Sequence, residues 1–279
     1  MWSERFLFIL VCVVNFSLVT SQAASIDDIR ARGVLIVGAK IDYPPYGFKD
    51  KTGTIVGFEP DLAADLAKQL GVSLKIVPAL ASNRFELLKS GEVDLVIATL
   101  SITEERRKEA GIIDPPYYAA GAGLLLRQGL HIEEAGDMRG RSICAVDGNI
   151  YWAQVQSNVR NINAIIFKDA NSASQALLDG RCEALFYNDN LLAYKKHSEP
   201  ERFKDYEFVQ LMDIDPLLWG IAAKPGEENS ALGQFVSQAI ARWHRGGFLL
   251  SLEKRWLGSN TPLLQALNRK WTLSSSLRP

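Results

Sequence analysis

Thr99-Leu-Ser101-Ile-Thr-Glu-Glu-Arg106 is the stretch of this chain with the most chemistry in it. It follows the apolar run Asp94-Leu-Val-Ile-Ala-Thr99, so its spacing places two hydroxyls and one arginine where a buried strand ends and enters a turn. A guanidinium stays charged and offers five donors in a fixed fork, so Arg106 is suited to hold one carboxylate bidentately without a metal or a base. The competing reading is a helix-surface arginine, because Glu104, Glu105, Arg107 and Lys108 surround it in a run of charge. Ser101 or Thr103 can likewise serve as a cap for the turn that follows.

Other reactive side chains do not converge. His131, His197 and His244 are scattered without metal-ligand spacing, and no glycine-rich phosphate loop or nucleophile elbow is present. The pattern therefore calls for no metal, no cofactor and no catalytic set. With 31 basic and 32 acidic residues the formal charge is -1, and no basic tract is interleaved with aromatics, so nucleic acid is not an expected partner.

The elements that must position Arg106 alternate. Val34–Val37 reads as a strand, and the loop to Gly47 contains Pro44 and Pro45, which forbid its continuation. Lys49 to Gly53 reads as a hairpin turn. Pro60-Asp61 opens a helix whose Leu62, Leu66 and Leu70 share one face, and Gly71 closes it. Strand Leu74–Val77, short helix Arg84–Lys89 and buried strand Val93–Ala98 complete the first unit. A second unit repeats the grammar: Leu124–Leu126 crosses, and strands Ser142–Val146, Ala164–Phe167 and Ala184–Tyr187 alternate with helices. Leu217–Ala223 reads as a strand again, followed by helices over Leu232–Trp243 and Leu249–Trp256. Short strands alternating with helices predict mostly parallel sheets with binding loops beyond the strand ends.

The start of the chain predicts export. Arg5 precedes a run from Phe6 to Leu18 broken only by Asn15 and Ser17, and Ser21-Gln22-Ala23 supplies small residues for cleavage. Cys12 lacks the small residues that a lipoprotein signal places before its cysteine. Residues 1–23 are thus expected to be a signal peptide, and the mature chain is not expected to be membrane-embedded. An exported chain can join Cys144 to Cys182, and two buried free thiols fit the pattern equally well.

Taken together, these segments resemble the extracytoplasmic solute-binding proteins of bacterial ABC transporters, in the family that serves polar amino acids. The resemblance is carried by Gly33-Val-Leu-Ile-Val-Gly38, Tyr43-Pro-Pro-Tyr-Gly47, Val56-Gly-Phe-Glu-Pro-Asp-Leu62, Gly91-Glu-Val-Asp-Leu95, the Thr99–Arg106 stretch, Gly180-Arg-Cys-Glu-Ala184, Gly220-Ile-Ala-Ala223 and Trp256-Leu-Gly258. It implies an α/β fold of the type II periplasmic-binding kind: two doubly wound lobes joined by two crossover strands, with ligand in the cleft. Residues 24–122 and 219–260 would form the first lobe, 123–218 the second, and 261–279 a C-terminal extension whose Leu263, Leu264, Leu267 and Trp271 dock on the first lobe.

The resemblance also implies roles. Arg106 would clamp a ligand carboxylate, with Thr99 and Ser101 beside it and Tyr43, flanked by Tyr46, covering it. The turn at Gly148, Asn149 and Ile150 would point helix-start amides at the anion. Three departures bear on the ligand. Ala81 stands where many relatives carry a ring, Asn149-Ile150 removes an expected hydroxyl, and Asn188 stands where relatives place an aspartate for the ammonium. Asp189 is the alternative partner for that cation. The function implied is delivery of a carboxylate-bearing solute, foremost an amino acid or derivative, to an ABC permease from the periplasm. The alternatives are a cyclohexadienyl dehydratase-like enzyme, with Glu183, Asp189 or Asp147 as general acid, and a ligand-sensing subunit for a membrane or periplasmic partner.

Overall fold

A computed structural model describes residues 25–258 and 260–275; the segment read as a signal peptide lies outside them. Helix α1 (Ile26–Arg32) starts on a Ser25 capping box and ends at Gly33, whose φ of 72° turns the chain into strand β1 (Val34–Lys40). Short strands β2 (Asp42–Tyr43), β3 (Gly47–Lys49) and β4 (Ile55–Val56) make a small antiparallel sheet. Helix α2 (Phe58–Leu70) buries Leu62, Leu66 and Leu70, the face that the spacing of four predicts. Then follow β5 (Ser73–Ala79), α3 (Arg84–Ser90), β6 (Leu95–Ile97), α4 (Glu104–Glu109) and β7 (Gly111–Ala120).

The second half begins with β8 (Ala122–Arg127) and a 3-10 turn over Ala135–Met138. It continues through β9 (Ser142–Val146), α5 (Ile150–Asn158), β10 (Asn163–Phe167), α6 (Ala170–Leu178), β11 (Ala184–Asn188), α7 (Asp189–Ser198) and β12 (Tyr206–Leu211). The chain returns as β13 (Leu217–Ala223) and finishes with helices α8 (Ala231–Arg245), α9 (Phe248–Leu257) and α10 (Pro262–Ser275).

Two five-stranded sheets result, ordered β5-β1-β6-β13-β7 and β10-β9-β11-β8-β12. In each, the first three strands of that order pair in parallel and the remaining two pairings are antiparallel. The chain passes between sheets at Gly121 and again between Leu211 and Leu217. Ala122 thus already pairs in the second sheet, while Leu217 and Leu218 pair in the first, one and two residues away from the expected lobe limits. Helices α8 and α10 pack against β7, so the C-terminal segments cover the first sheet.

Strand β7 has no counterpart among the elements read from the sequence. Pro115 and Pro116 argue against a strand, yet they lie within its ten residues. The strand is tolerated because β7 is the edge of its sheet, where a proline's missing N–H removes no obligatory ladder bond. Tyr117 and Tyr118 on it are fully buried, in keeping with a packing role. Cys144 on β9 and Cys182 before β11 are joined by a disulfide, which decides between the two states the sequence left open.

Candidate functional site

The Thr99–Arg106 stretch leaves β6 at the end of the first sheet that faces the second. Thr99 has a φ of 46°, in the left-handed region. It is held there by its backbone N–H, which donates to Glu59 Oε1 at 2.7 Å. Ser101 then pairs with Trp219 as an isolated bridge, and Thr103 caps α4 by accepting from the Arg106 N–H at 3.2 Å. Capping thus falls to Thr103, which leaves Thr99 and Ser101 to face the gap between lobes.

Arg106 sits on the first turn of α4 but points inward, at 7% exposure. Its Nη1 donates to the Ser101 carbonyl at 3.1 Å and its Nη2 to the Gly148 carbonyl at 3.1 Å, on the opposite lobe. The surface-arginine reading describes its neighbour instead, since Arg107 pairs with exposed Asp114. Burial, and then the charge of Arg84, pushes Arg106 down to about 9 from the ordinary arginine range.

From the second lobe, Gly148 adopts a φ of 70° and Asn149 caps α5, its Oδ1 accepting from the Trp152 N–H at 3.0 Å. Asn149 Nδ2 donates to Asn188 Oδ1 at 2.8 Å, so these two amides form one polar wall. Ala81, Arg84, Thr99, Ser101, Arg106, Gly148, Asn149, Ile150, Tyr187 and Asn188 line an inner pocket of about 10 Å³ between the lobes. A larger cavity of about 430 Å³ opens outward from it, sharing Ala81, Arg106, Gly148, Asn149 and Ile150 and adding Phe85, Trp152 and Gln156. The small residue at Ala81 is part of the wall of both.

Two other contacts join the lobes. Tyr43 donates from its hydroxyl to Asn190 Oδ1 at 2.5 Å, and Asp42 Oδ2 accepts from the Ala170 N–H at 3.0 Å while its Oδ1 pairs with buried Lys40 at 2.6 Å. The lobes are therefore closed on each other, and the buried core runs from one into the other through Tyr43 and Tyr187, whose ring centroids are 5.4 Å apart.

Seven of the expected positions, Ala81, Thr99, Ser101, Arg106, Asn149, Ile150 and Asn188, share the inner pocket. Three do not. Tyr43 seals the seam beside Tyr187 and is fully buried. Tyr46 lies deeper, its hydroxyl bonded to that of Tyr118 and its ring against Trp219 and Phe58, so it belongs to the core of the first lobe. Asp189 accepts from the Gly121 N–H at 3.0 Å and from Gln210 Nε2 at 3.0 Å, which ties it to the crossing between sheets and turns it from the pocket. Asn188 ends β11 and Asp189 opens α7, so the chain turns between them and the two side chains part. Burial raises the Asp189 carboxyl above the usual range despite these bonds.

Two pocket residues were not singled out in the sequence. Arg84 is a charged residue on a short amphipathic helix, a pattern that ordinarily reads as solvent-facing; its burial comes from distant segments, and its Nη1 donates to the Ala98 and Thr99 carbonyls. Tyr187 ends an apolar strand and reads as core. Glu183, weighed as a general acid, binds Ser142 and Arg141 at the far ends of β9 and β11, where backbone hydrogen bonding holds its carboxyl low.

Two α/β lobes closing over a polar pocket, joined by paired crossings, define a two-lobed binding protein of type II periplasmic-binding fold. The family model of bacterial extracellular solute-binding proteins, family 3, matches residues 35–259, and the chain belongs to that family. Its relatives include the L-cystine-binding protein TcyJ of Escherichia coli strain K12, 29% identical over 240 residues that cover 84% of this chain and 86% of that one. A solute receptor for L-cysteine of Neisseria gonorrhoeae superposes with a TM-score of 0.76 at 26% identity, covering 84% of this chain and 94% of that one. An ancestral amino acid-binding protein, AncCDT-1, a precursor of cyclohexadienyl dehydratase, gives a TM-score of 0.74 at 27% identity over 83% and 98% of the two chains. Among the described residues no helix is long and apolar enough to cross a membrane.

Proposed function

We propose that this chain captures a small carboxylate-bearing solute, an amino acid or amino-acid derivative, in the periplasm and delivers it to an ABC permease. The observation that carries this reading is Arg106, a buried guanidinium reaching across the seam to a carbonyl of the other lobe. A charge so desolvated is costly unless paired, and here its partners are neutral carbonyls. A carboxylate entering the opened cleft supplies the missing charge and bridges the lobes, which shifts the equilibrium towards the closed form. The Asn149 turn adds helix-start amides on the other side.

Similarity to an L-cystine-binding protein and to a solute receptor for L-cysteine supports an amino-acid-like solute. The pocket itself argues for a ligand whose ammonium, where present, is held by neutral oxygens, because Asn188 and not a carboxylate faces it. For the dehydratase-like alternative, bonds turn Glu183 and Asp189 away from the pocket, and Asp147 lines the outer cavity but not the inner pocket.

The test is a thermal-shift screen of the full chain against amino acids, their derivatives including L-cystine, and small organic acids, followed by calorimetry on the hits. Binding raises the melting temperature in proportion to the logarithm of ligand concentration over Kd. Stabilisation confined to carboxylate-bearing solutes is expected. Stabilisation only by solutes lacking a carboxylate overturns the reading.

A further inference from the structure

Arg84 holds a charge that the proposed carboxylate clamp leaves unexplained. It lies on the first turn of α3 at 2% exposure, and it lines the same inner pocket as Arg106. Its Nη1 donates to the carbonyls of Ala98 at 2.7 Å and Thr99 at 3.3 Å, both neutral acceptors that fix the plane of the guanidinium. Its Nε is buried and has no hydrogen-bond partner among the described residues. Burial pushes Arg84 down from the ordinary arginine range, and its charge does the same to Arg106.

Glu109, which lines the outer cavity with Asp147, offsets the charge of Arg106 in part, but the wall of the inner pocket supplies no counter-charge. None of the ten residues lining the inner pocket is acidic. Asp42, which acts on Arg84 from behind, is paired with Lys40. Glu59 also acts from behind the pocket, with its Oε1 turned to the Thr99 N–H and the Tyr117 hydroxyl. Burial pushes that carboxyl up to about 7, which weakens it as a counter-charge near neutral pH. One carboxylate on Arg106 therefore leaves an excess of buried positive charge, and a second anionic group relieves it.

We infer that the inner pocket selects solutes with two acidic groups, Arg106 holding one and Arg84 the other. This rests on the carboxylate-binding role proposed above and narrows it. A guanidinium with a fixed plane and an unused Nε–H donates to a carboxylate oxygen at a defined angle, whereas an amide in the same place brings an N–H₂ towards a donor. Discrimination follows from that mismatch, because a buried group left without its partner costs more than the bond itself contributes.

Matched pairs test this by calorimetry on the full chain: L-glutamate against L-glutamine, L-aspartate against L-asparagine, and glutarate against butyrate. The two-acid member of at least one pair is expected to bind about tenfold tighter or more, as unpaired buried polar groups demand. Arg84→Gln should reduce that ratio towards one, the two-acid member losing more affinity than the one-acid member; Arg84→Lys should restore part of the preference. Melting temperatures of the variants check folding, and the wild-type ratios stand without them. Equal or tighter binding of the one-acid members overturns the inference and leaves the carboxylate reading intact. So does an Arg84→Gln variant that is folded and keeps the wild-type ratio. Failure of every carboxylate in these pairs and in the wider screen overturns both.

Discussion

The Arg106 guanidinium and the Gly148 carbonyl meet at 3.1 Å across the seam of two separately built sheets. That contact makes closure and anion binding one event, because the group that clamps the ligand also touches the opposite lobe. Arg106→Ala should weaken binding of any carboxylate ligand found in the screen by about 2–5 kcal/mol, the usual effect of deleting one partner of a desolvated charge pair. Calorimetry on wild type and variant measures it, and unchanged affinity would remove Arg106 from the role.

Gly148 packs tightly against the first lobe. A Cβ built there lies 2.9 Å from both the carbonyl carbon and the oxygen of Ala81, at a φ of 70°. Gly148→Ala is therefore expected to oppose closure more than folding, with about 1–2 kcal/mol of the loss coming from the left-handed backbone alone. Small-angle scattering should show a larger radius for the variant, and ligand should contract it less than it contracts wild type.

Glu59 should shape the pH dependence of stability. Burial raises its carboxyl from 4.5 to about 7. Between those values the folded chain keeps a proton that the unfolded chain has released, so the stability from this group is complete at the acid end and is lost as pH rises to about 7. Glu59→Gln removes the titration while leaving an acceptor for the Thr99 N–H and the Tyr117 hydroxyl. The decline in melting temperature across this window should be shallower in the variant than in wild type; parallel curves would show that Glu59 does not titrate there.

The disulfide closes a loop of sequence separation 38 between neighbouring strands of the second sheet. Replacing both Cys144 and Cys182 by alanine should cost about 3–4 kcal/mol through the freedom returned to the unfolded chain. Denaturant unfolding of the two proteins under oxidising conditions measures the difference, and the ligand affinity should change little because neither sulfur lines the pocket.

Much of the fold is legible in the sequence because its signals are local. Leu62, Leu66 and Leu70 declare a helix face by spacing, and Gly33 and Gly71 end helices through the left-handed φ that glycine adopts cheaply. Pro115 and Pro116 show where a local signal falls short. A proline speaks against a strand locally, and only the edge position of β7 makes it harmless. Asn188 and Asp189 are equally polar neighbours, yet one faces the pocket and the other ties down the crossing at Gly121.

By itself the sequence determined the order of strands and helices, the two-unit layout and the presence of an arginine and hydroxyls at the end of a buried strand, since periodicity and turn chemistry are properties of short segments. Only the tertiary structure decided which charges are buried. Arg84, Arg106 and Arg107 are the same residue type in similar helical company, and what separates them is which distant segments pack over each one. Arg107 reaches an exposed carboxylate, whereas Arg84 and Arg106 are enclosed by Thr99, Gly148 and Asn188, which the folding of both lobes brings together. Desolvation depends on that three-dimensional enclosure, and it is what turns an ordinary cation into a binding group.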